Sequence, residues 1–193
     1  EELLVAMSEC DKVERHLHLP VQCGSDRILK AMNRVYDTKR YLSLVKRARE
    51  LMPDIEFTSD IIVGFPGETY EDFKETLSLV EEVKFSSLFT FIYSPRQGTP
   101  AALMPDPVTR QEKGKWFDEL LKTQENVAAE NIKGFLGKTY RVLCDEYLGD
   151  GIMSGHTNGT ASIEFECDQK LLGSFVNVRV ESCDGSLKGI LID

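Results

Sequence analysis

The chain has 193 residues, 41% of them hydrophobic and 28% charged, and 32 acidic against 23 basic side chains leave a net charge of −9. That is enough apolar material for one large or two small packed domains, and the acidic balance argues against a strong nonspecific nucleic-acid binder. No apolar run approaches a membrane span and no secretory leader is visible; the five cysteines, scattered and never at C-x-x-C spacing, read as reduced thiols of a cytoplasmic protein, without a zinc or iron–sulfur ligand motif.

The first residues, with Leu3, Leu4, Val5, Ala6 and Met7 close together, read as the middle of an amphipathic helix, so a longer parent chain is expected. Residues 16–22 then alternate. His16, His18 and Gln22 fall on one strand face and Leu17, Leu19 and Val21 on the other. Three hydrogen-bonding side chains on one face line a polar cavity, or the strand lies at a solvated edge. After Gly24, Ser25 and Asp26 are placed to cap a short helix to about Asn33. Asp37 or Thr38 opens the next one, whose stripe includes Tyr41, Val45 and Ala48.

Ile55 to Phe65 has the composition of a strand buried on both sides, as in a parallel sheet. Asp60 among its apolar neighbours needs a partner, with His16 or His18 as candidates, or has a functional task. Gly64-Phe65-Pro66-Gly67 is either a turn with special backbone angles or a place where backbone groups and a ring approach a ligand. Glu68 and Thr69 start a helix, and Thr69 with Asp72 fits a capping box. A third strand is expected from Ser86 to Tyr93. Repeated strand–helix–strand spacing implies right-handed crossovers and a parallel sheet, open or rolled.

Pro95, Gly98, Pro100, Pro105 and Pro107 crowd a loop. Arg96 within it is either a phosphate or carboxylate contact or a solvated side chain. A long helix from about Val108 to Lys133 carries the only Trp, Trp116. Gly134 and Gly137 mark a boundary, giving domains at 1–133 and 134–193. Short β-rich runs near 138–145, 151–156, 161–166, 174–181 and 187–192 predict a small antiparallel barrel. Its basic residues are Lys138, Arg141, Lys170, Arg179 and Lys188, with Tyr140, Phe165 and Phe175 nearby, some of them core.

His16-Leu-His-Leu-Pro-Val-Gln22 followed by Gly24-Ser25-Asp26 resembles the fourth barrel strand of the radical SAM methylthiotransferases. Asp60-Ile-Ile-Val-Gly-Phe-Pro-Gly-Glu-Thr69 resembles their fifth strand and its exit loop. Phe89-Thr-Phe-Ile-Tyr-Ser-Pro-Arg96 with Gly98-Thr-Pro-Ala-Ala102 resembles their sixth, and the tail from about Gly134 is similar to the TRAM module that follows. The resemblance implies an α/β fold: the C-terminal part of a parallel (β/α) radical SAM barrel, then a small all-β OB-like (TRAM) barrel. For the complete enzyme it implies S-adenosylmethionine (SAM) and two 4Fe-4S clusters, and insertion of a methylthio group at C2 of isopentenyladenosine beside the tRNA anticodon. A relative acting on threonylcarbamoyladenosine shares most of these motifs. An RNA-binding TRAM module on a degenerate α/β scaffold is the other reading.

The family's C-x-x-x-C-x-x-C signature and its second set of three cluster cysteines are absent from this chain. The resemblance therefore implies a fragment, inactive alone, whose partners are tRNA and the N-terminal half of the same protein. Cys23 stands where the family usually has Ser, and His156 where many members have Arg. Carried over residue by residue, the resemblance assigns the SAM pocket wall to Gln22, Ser25, Asp60, Gly64, Phe65, Pro66, Tyr93 and Ser94. It assigns RNA or substrate contacts to Arg96, Lys138, Arg141 and Arg179, and no metal ligand. Part of a barrel leaves an open strand edge, so a homodimer through that edge is expected.

Overall fold

The structure is a computed structural model and describes residues 1–192. The fold is α/β, and the chain falls into two compact units, one of Leu17–Pro53 and Phe57–Ala128, the other of Glu1–His16, Asp54–Glu56 and Ala129–Asp193.

Three strands, β1 (His16–His18), β2 (Glu56–Val63) and β3 (Ser87–Ile92), form one sheet in that order. β2 and β3 pair in parallel, with Thr58 opposite Ser87 and Val63 opposite Ile92. The two-residue side-chain period sorts β2 by face. Phe57, Ser59, Ile61 and Val63 are buried, whereas Asp60 and Ile62 on the other face are only half-buried. The strand expected to be buried on both sides is thus fully covered on one. On β3, Phe89 and Phe91 share the face of Asp60 and Ile62 by register and are 54% and 53% exposed.

α1, Glu2–Glu9, belongs to the other unit; here α2 spans Asp26–Ala31, α3 Thr38–Leu51 and α4 Tyr70–Val83. The helices of this unit, α2 apart, begin where their sequences cap them. Asp37 accepts the Arg40 N–H at 2.7 Å at the start of α3, and Thr69 and Asp72 form the expected capping box on α4. α5 runs Arg110–Lys133, and its start is capped reciprocally by Thr109 and Glu112.

The first strand is shorter than its alternation implies, for a local reason. Leu19 N–H donates to Thr58 O at 2.8 Å and Gln22 N–H to Asp60 O at 2.9 Å. Three steps on one chain therefore face two on β2, which is a bulge. Pro20, lacking an N–H, sits inside it, and Val21 N–H turns instead to the Ser59 hydroxyl at 2.9 Å. Gln22 consequently adopts φ +72° and touches the sheet through a single bridge to Ile61. His16, His18 and Gln22 do not share one continuous strand face.

In the other unit, β4 (Thr139–Gly149), β5 (Ile152–His156), β6 (Ser162–Glu166), β7 (Phe175–Ser182) and β8 (Leu187–Ile192) close into a barrel in the order β4-β5-β6-β8-β7. Alternate residues point inward, and Val142, Met153, Ile163, Phe165, Val178 and Val180 make its core. β4 outlasts its expected end at residue 145 because irregularities after Cys144 and Tyr147 let it keep pairing with β5. Among the described residues, no helix is long and apolar enough to cross a membrane.

Candidate functional site at the strand ends

Parallel strands deliver their C-terminal ends to one edge of a sheet, and the loops leaving that edge are where α/β folds place ligands. Here the loops are Gln22–Ser25, Gly64–Glu68 and Tyr93–Arg96. The first two are tied through the backbone, since Gln22 C=O accepts the Ile62 N–H at 2.8 Å, and Tyr93 N–H reaches Val63 O at 2.8 Å. Gln22, Ser25, Gly64, Phe65 and Pro66 are buried, Asp60 and Tyr93 half-buried, and Ser94 and Arg96 exposed.

Glycine is required in the first loop by close approach. A Cβ on Gly24 would lie 2.5 Å from Thr76 Cα, and Gly24 N–H donates to the Thr76 hydroxyl at 2.9 Å. The loop thereby rests directly on α4. Ser25 precedes α2 but does not cap it with its side chain. Its hydroxyl donates instead to Asp72 at 2.7 Å. Arg27 donates to the same carboxylate through Nε at 3.2 Å and forms an ion pair with it. Burial alone would raise the Asp72 pKa, but the bonds from Arg27, Thr69 and Ser25 outweigh it and hold the carboxyl below its ordinary range.

The Gly64–Phe65 turn is organised by Glu68, which does more than start a helix. Its carboxylate is 2% exposed and accepts the N–H groups of Gly64 and, at 3.1 Å, Phe65. These two donors are therefore spent inside the protein and are not free for a ligand. Burial pushes the Glu68 carboxyl up to about 7, opposed by those two hydrogen bonds and by Lys113. Cys23 Sγ lies 3.9 Å from Glu68 and 3.5 Å from the Thr76 hydroxyl, and burial, then Glu68, pushes its thiol up to about 12.

Sequence reasoning missed Lys113. It comes from α5, is 5% exposed, and its ammonium meets Asp106 at 2.5 Å. Its stem fills the space over Gly64, where a Cβ would fall 2.4 Å from Lys113 Cδ, and Gly64 has φ +75°. The signal was present: Lys113 precedes Trp116, Phe117 and Leu120 by three, four and seven residues, so it sits on the apolar stripe of its helix. The Phe65 and Tyr93 rings meet edge to face at 5.2 Å, and Ala101 and Met104 from the proline-rich loop pack on the same cluster.

The half-covered sheet face carries a polar group as well. His18 Nδ1 lies 3.0 Å from the Thr58 hydroxyl, its Nε2 3.5 Å from Asp60, and its ring 5.6 Å edge-on from Phe89. Asp60, within β2, thus has the partner its setting demanded. On the barrel unit, Lys138, Arg141 and Arg179 are exposed. Arg141 stacks over Phe175 at 4.1 Å, and Arg179 pairs with Glu181 at 2.6 Å. Phe165 belongs to the core, Tyr140 is half-buried against Phe135, and Phe175 is 57% exposed.

Among the described residues, no group of three or more His, Cys, Asp or Glu is placed to hold a metal ion. Cys23, Cys144 and Cys167 are buried, and burial drives the Cys144 thiol up to about 11, away from the thiolate that ligation needs. These residues do not fit an iron–sulfur cluster.

The radical SAM superfamily model matches residues 1–80. The tRNA-2-methylthio-N(6)-dimethylallyladenosine synthase of Acetivibrio thermocellus is 47% identical over 195 residues, an alignment covering 100% of this chain and 41% of that protein. The protein of the same name from Alkaliphilus oremlandii is 44% identical over 185 residues, 95% of this chain and 39% of the relative. The chain is similar over nearly its whole length to radical SAM methylthiotransferases. It spans about 40% of the length of the curated relatives it matches. A solved radical SAM enzyme, coproporphyrinogen III oxidase from Escherichia coli, superposes with a TM-score of 0.50 at 19% identity, over 75% of this chain and 39% of that one. That likeness is one of fold. The three motifs that define the strand-end loops are those that carry the family resemblance.

Proposed function

We propose that this chain forms part of a radical SAM tRNA methylthiotransferase that acts at C2 of dimethylallyladenosine (isopentenyladenosine) in tRNA. The observation that carries the reading is 47% identity to a synthase of that name across the whole chain. When bound, SAM and the clusters supply the group-transfer chemistry, and the chain's own residues bind, orient and exclude water. Gln22, Ser25, Asp60, Gly64, Phe65, Pro66, Tyr93 and Ser94 form one wall of the SAM pocket. The fit rests on a buried hydroxyl, Tyr93 Oη, left without a partner among the described residues, and on the His18–Asp60 pair on the half-covered sheet face. Ser25 contributes through its place in the loop, its hydroxyl already donating a hydrogen bond to Asp72.

In this reading residues 1–133 are the C-terminal part of a parallel radical SAM barrel with its linker helix, and 134–193 a TRAM domain. Arg96, Lys138, Arg141 and Arg179 contact RNA, with Arg141 over Phe175 as the best-formed platform for a base. Cluster ligands come from an N-terminal half of the same cytoplasmic protein, whose strands cover the open sheet edge that would otherwise pair two copies. The test is expression of the full-length gene in a host lacking its own methylthiotransferase, followed by mass spectrometry of tRNA nucleosides. Appearance of the 2-methylthio form of dimethylallyladenosine is the expected result, and its absence from a soluble, cluster-loaded protein would overturn the proposal.

A further inference from the structure

Two groups at the strand ends are expensive unless they are used. Lys113 is a buried lysine with a single ion-pair partner, Asp106, and a buried ammonium with spare donors is a costly way to fasten a loop. Tyr93 Oη is buried and finds no hydrogen-bond partner among the described residues, and an unpaired buried hydroxyl destabilises the fold that holds it. The two are neighbours, with Lys113 Nζ 5.8 Å from the Tyr93 ring centroid. The stem of Lys113 lies against Gly64, and its ammonium reaches Asp106 at the far end of the proline-rich loop. One side chain from α5 therefore fixes both the turn after β2 and the loop after β3, the two segments between which the Phe65 and Tyr93 rings meet.

We propose that Lys113 is a positioning residue that sets the Gly64–Phe65 turn against Tyr93, and that the Tyr93 hydroxyl is held unpaired for a hydrogen-bonding oxygen or nitrogen of bound SAM. The inference rests on reading these loops as a SAM pocket wall. Lys113 acts through its neighbours, while Tyr93 touches the ligand.

The test uses the full-length protein, reconstituted with its clusters under anaerobic conditions, with two readouts: melting without ligand and equilibrium dialysis with labelled SAM. Tyr93→Phe removes only the unpaired hydroxyl, so it leaves the ligand-free melting temperature unchanged or raised and weakens SAM binding by about tenfold, the worth of one hydrogen bond. Lys113→Met keeps a stem over Gly64 but loses the Asp106 pair; it weakens SAM binding and Lys113→Arg recovers part of the loss. A Tyr93→Phe protein that melts lower and binds SAM normally would show the hydroxyl to be structural and overturn the assignment, as would wild-type affinity in both Tyr93→Phe and Lys113→Met. A wild-type protein with no affinity for SAM would sink the pocket reading itself, and the assignment with it.

Discussion

Glu68 offers a quantitative test of how the turn after β2 is built. Its carboxyl moves from an ordinary 4.5 to about 7 because it is buried, and each pH unit of such displacement is worth about 1.4 kcal/mol. A group whose folded value lies above its unfolded value contributes stability that is complete below the unfolded value and lost as pH rises through the folded one. The ionised Glu68 therefore costs the folded state about 3 kcal/mol above pH 7 relative to pH 4. Neither Asp72, held below its ordinary range, nor Cys23, pushed up to about 12, titrates in that window. Glu68→Gln keeps an acceptor for the Gly64 and Phe65 N–H groups and removes the charge. In urea titrations from pH 4 to pH 8, wild-type stability should fall by about 3 kcal/mol relative to the variant, with most of the change between pH 5 and 7. Parallel pH profiles for the two proteins would refute the claim that a buried carboxylate organises this turn.

Asp72→Asn replaces one of the two carboxylate oxygens that between them accept from Arg27, Ser25 and Thr69, and is expected to cost about 2 kcal/mol at neutral pH. Because the Asp72 carboxyl is held down, that difference narrows as pH falls below its ordinary 3.8, which acid titration of both proteins by circular dichroism will follow. Gly24→Ala drives a methyl group into Thr76 Cα and the Glu75 carbonyl at 2.5 and 2.6 Å, and urea unfolding should report a loss of about 2–3 kcal/mol. Phe175→Ala, at a ring already 57% exposed, should leave unfolding nearly unchanged while weakening tRNA binding in a gel-shift titration by about tenfold. Multi-angle light scattering of the 193-residue chain should give masses above the monomer that Phe89→Glu abolishes, since Phe89 lies exposed on the edge strand β3.

The elements with strong periodicity and explicit caps were legible from residues alone. α3 and α4 start at the expected Asp37 and Thr69 because a short polar side chain there satisfies a free N–H, a local effect that needs no tertiary information. The strand at 16–22 misled because alternation says nothing of register. Pro20 and the Ser59 hydroxyl together shift the chain by one residue against β2, and the second of these lies 38 residues away. Ser25 and Glu68 were read as helix-start residues from their neighbours in sequence. Both are claimed by longer-range demands, Asp72 for one and the Gly64–Phe65 turn for the other. Lys113 was hidden because a lysine in a long charged helix is normally solvated. Only its place on the stripe of Trp116 and Leu120 marked it.

The account turns on the loops after β1, β2 and β3 lining a common SAM site, and photolabelling addresses that directly. The full-length, reconstituted protein is irradiated with an azido-adenine analogue of SAM and the labelled peptides are mapped by mass spectrometry, with excess SAM as competitor. Competable label within residues 20–26, 60–68 or 91–96 is the predicted result. Competable label confined to the barrel strands 139–192, or to the helix surfaces of α3, would contradict it.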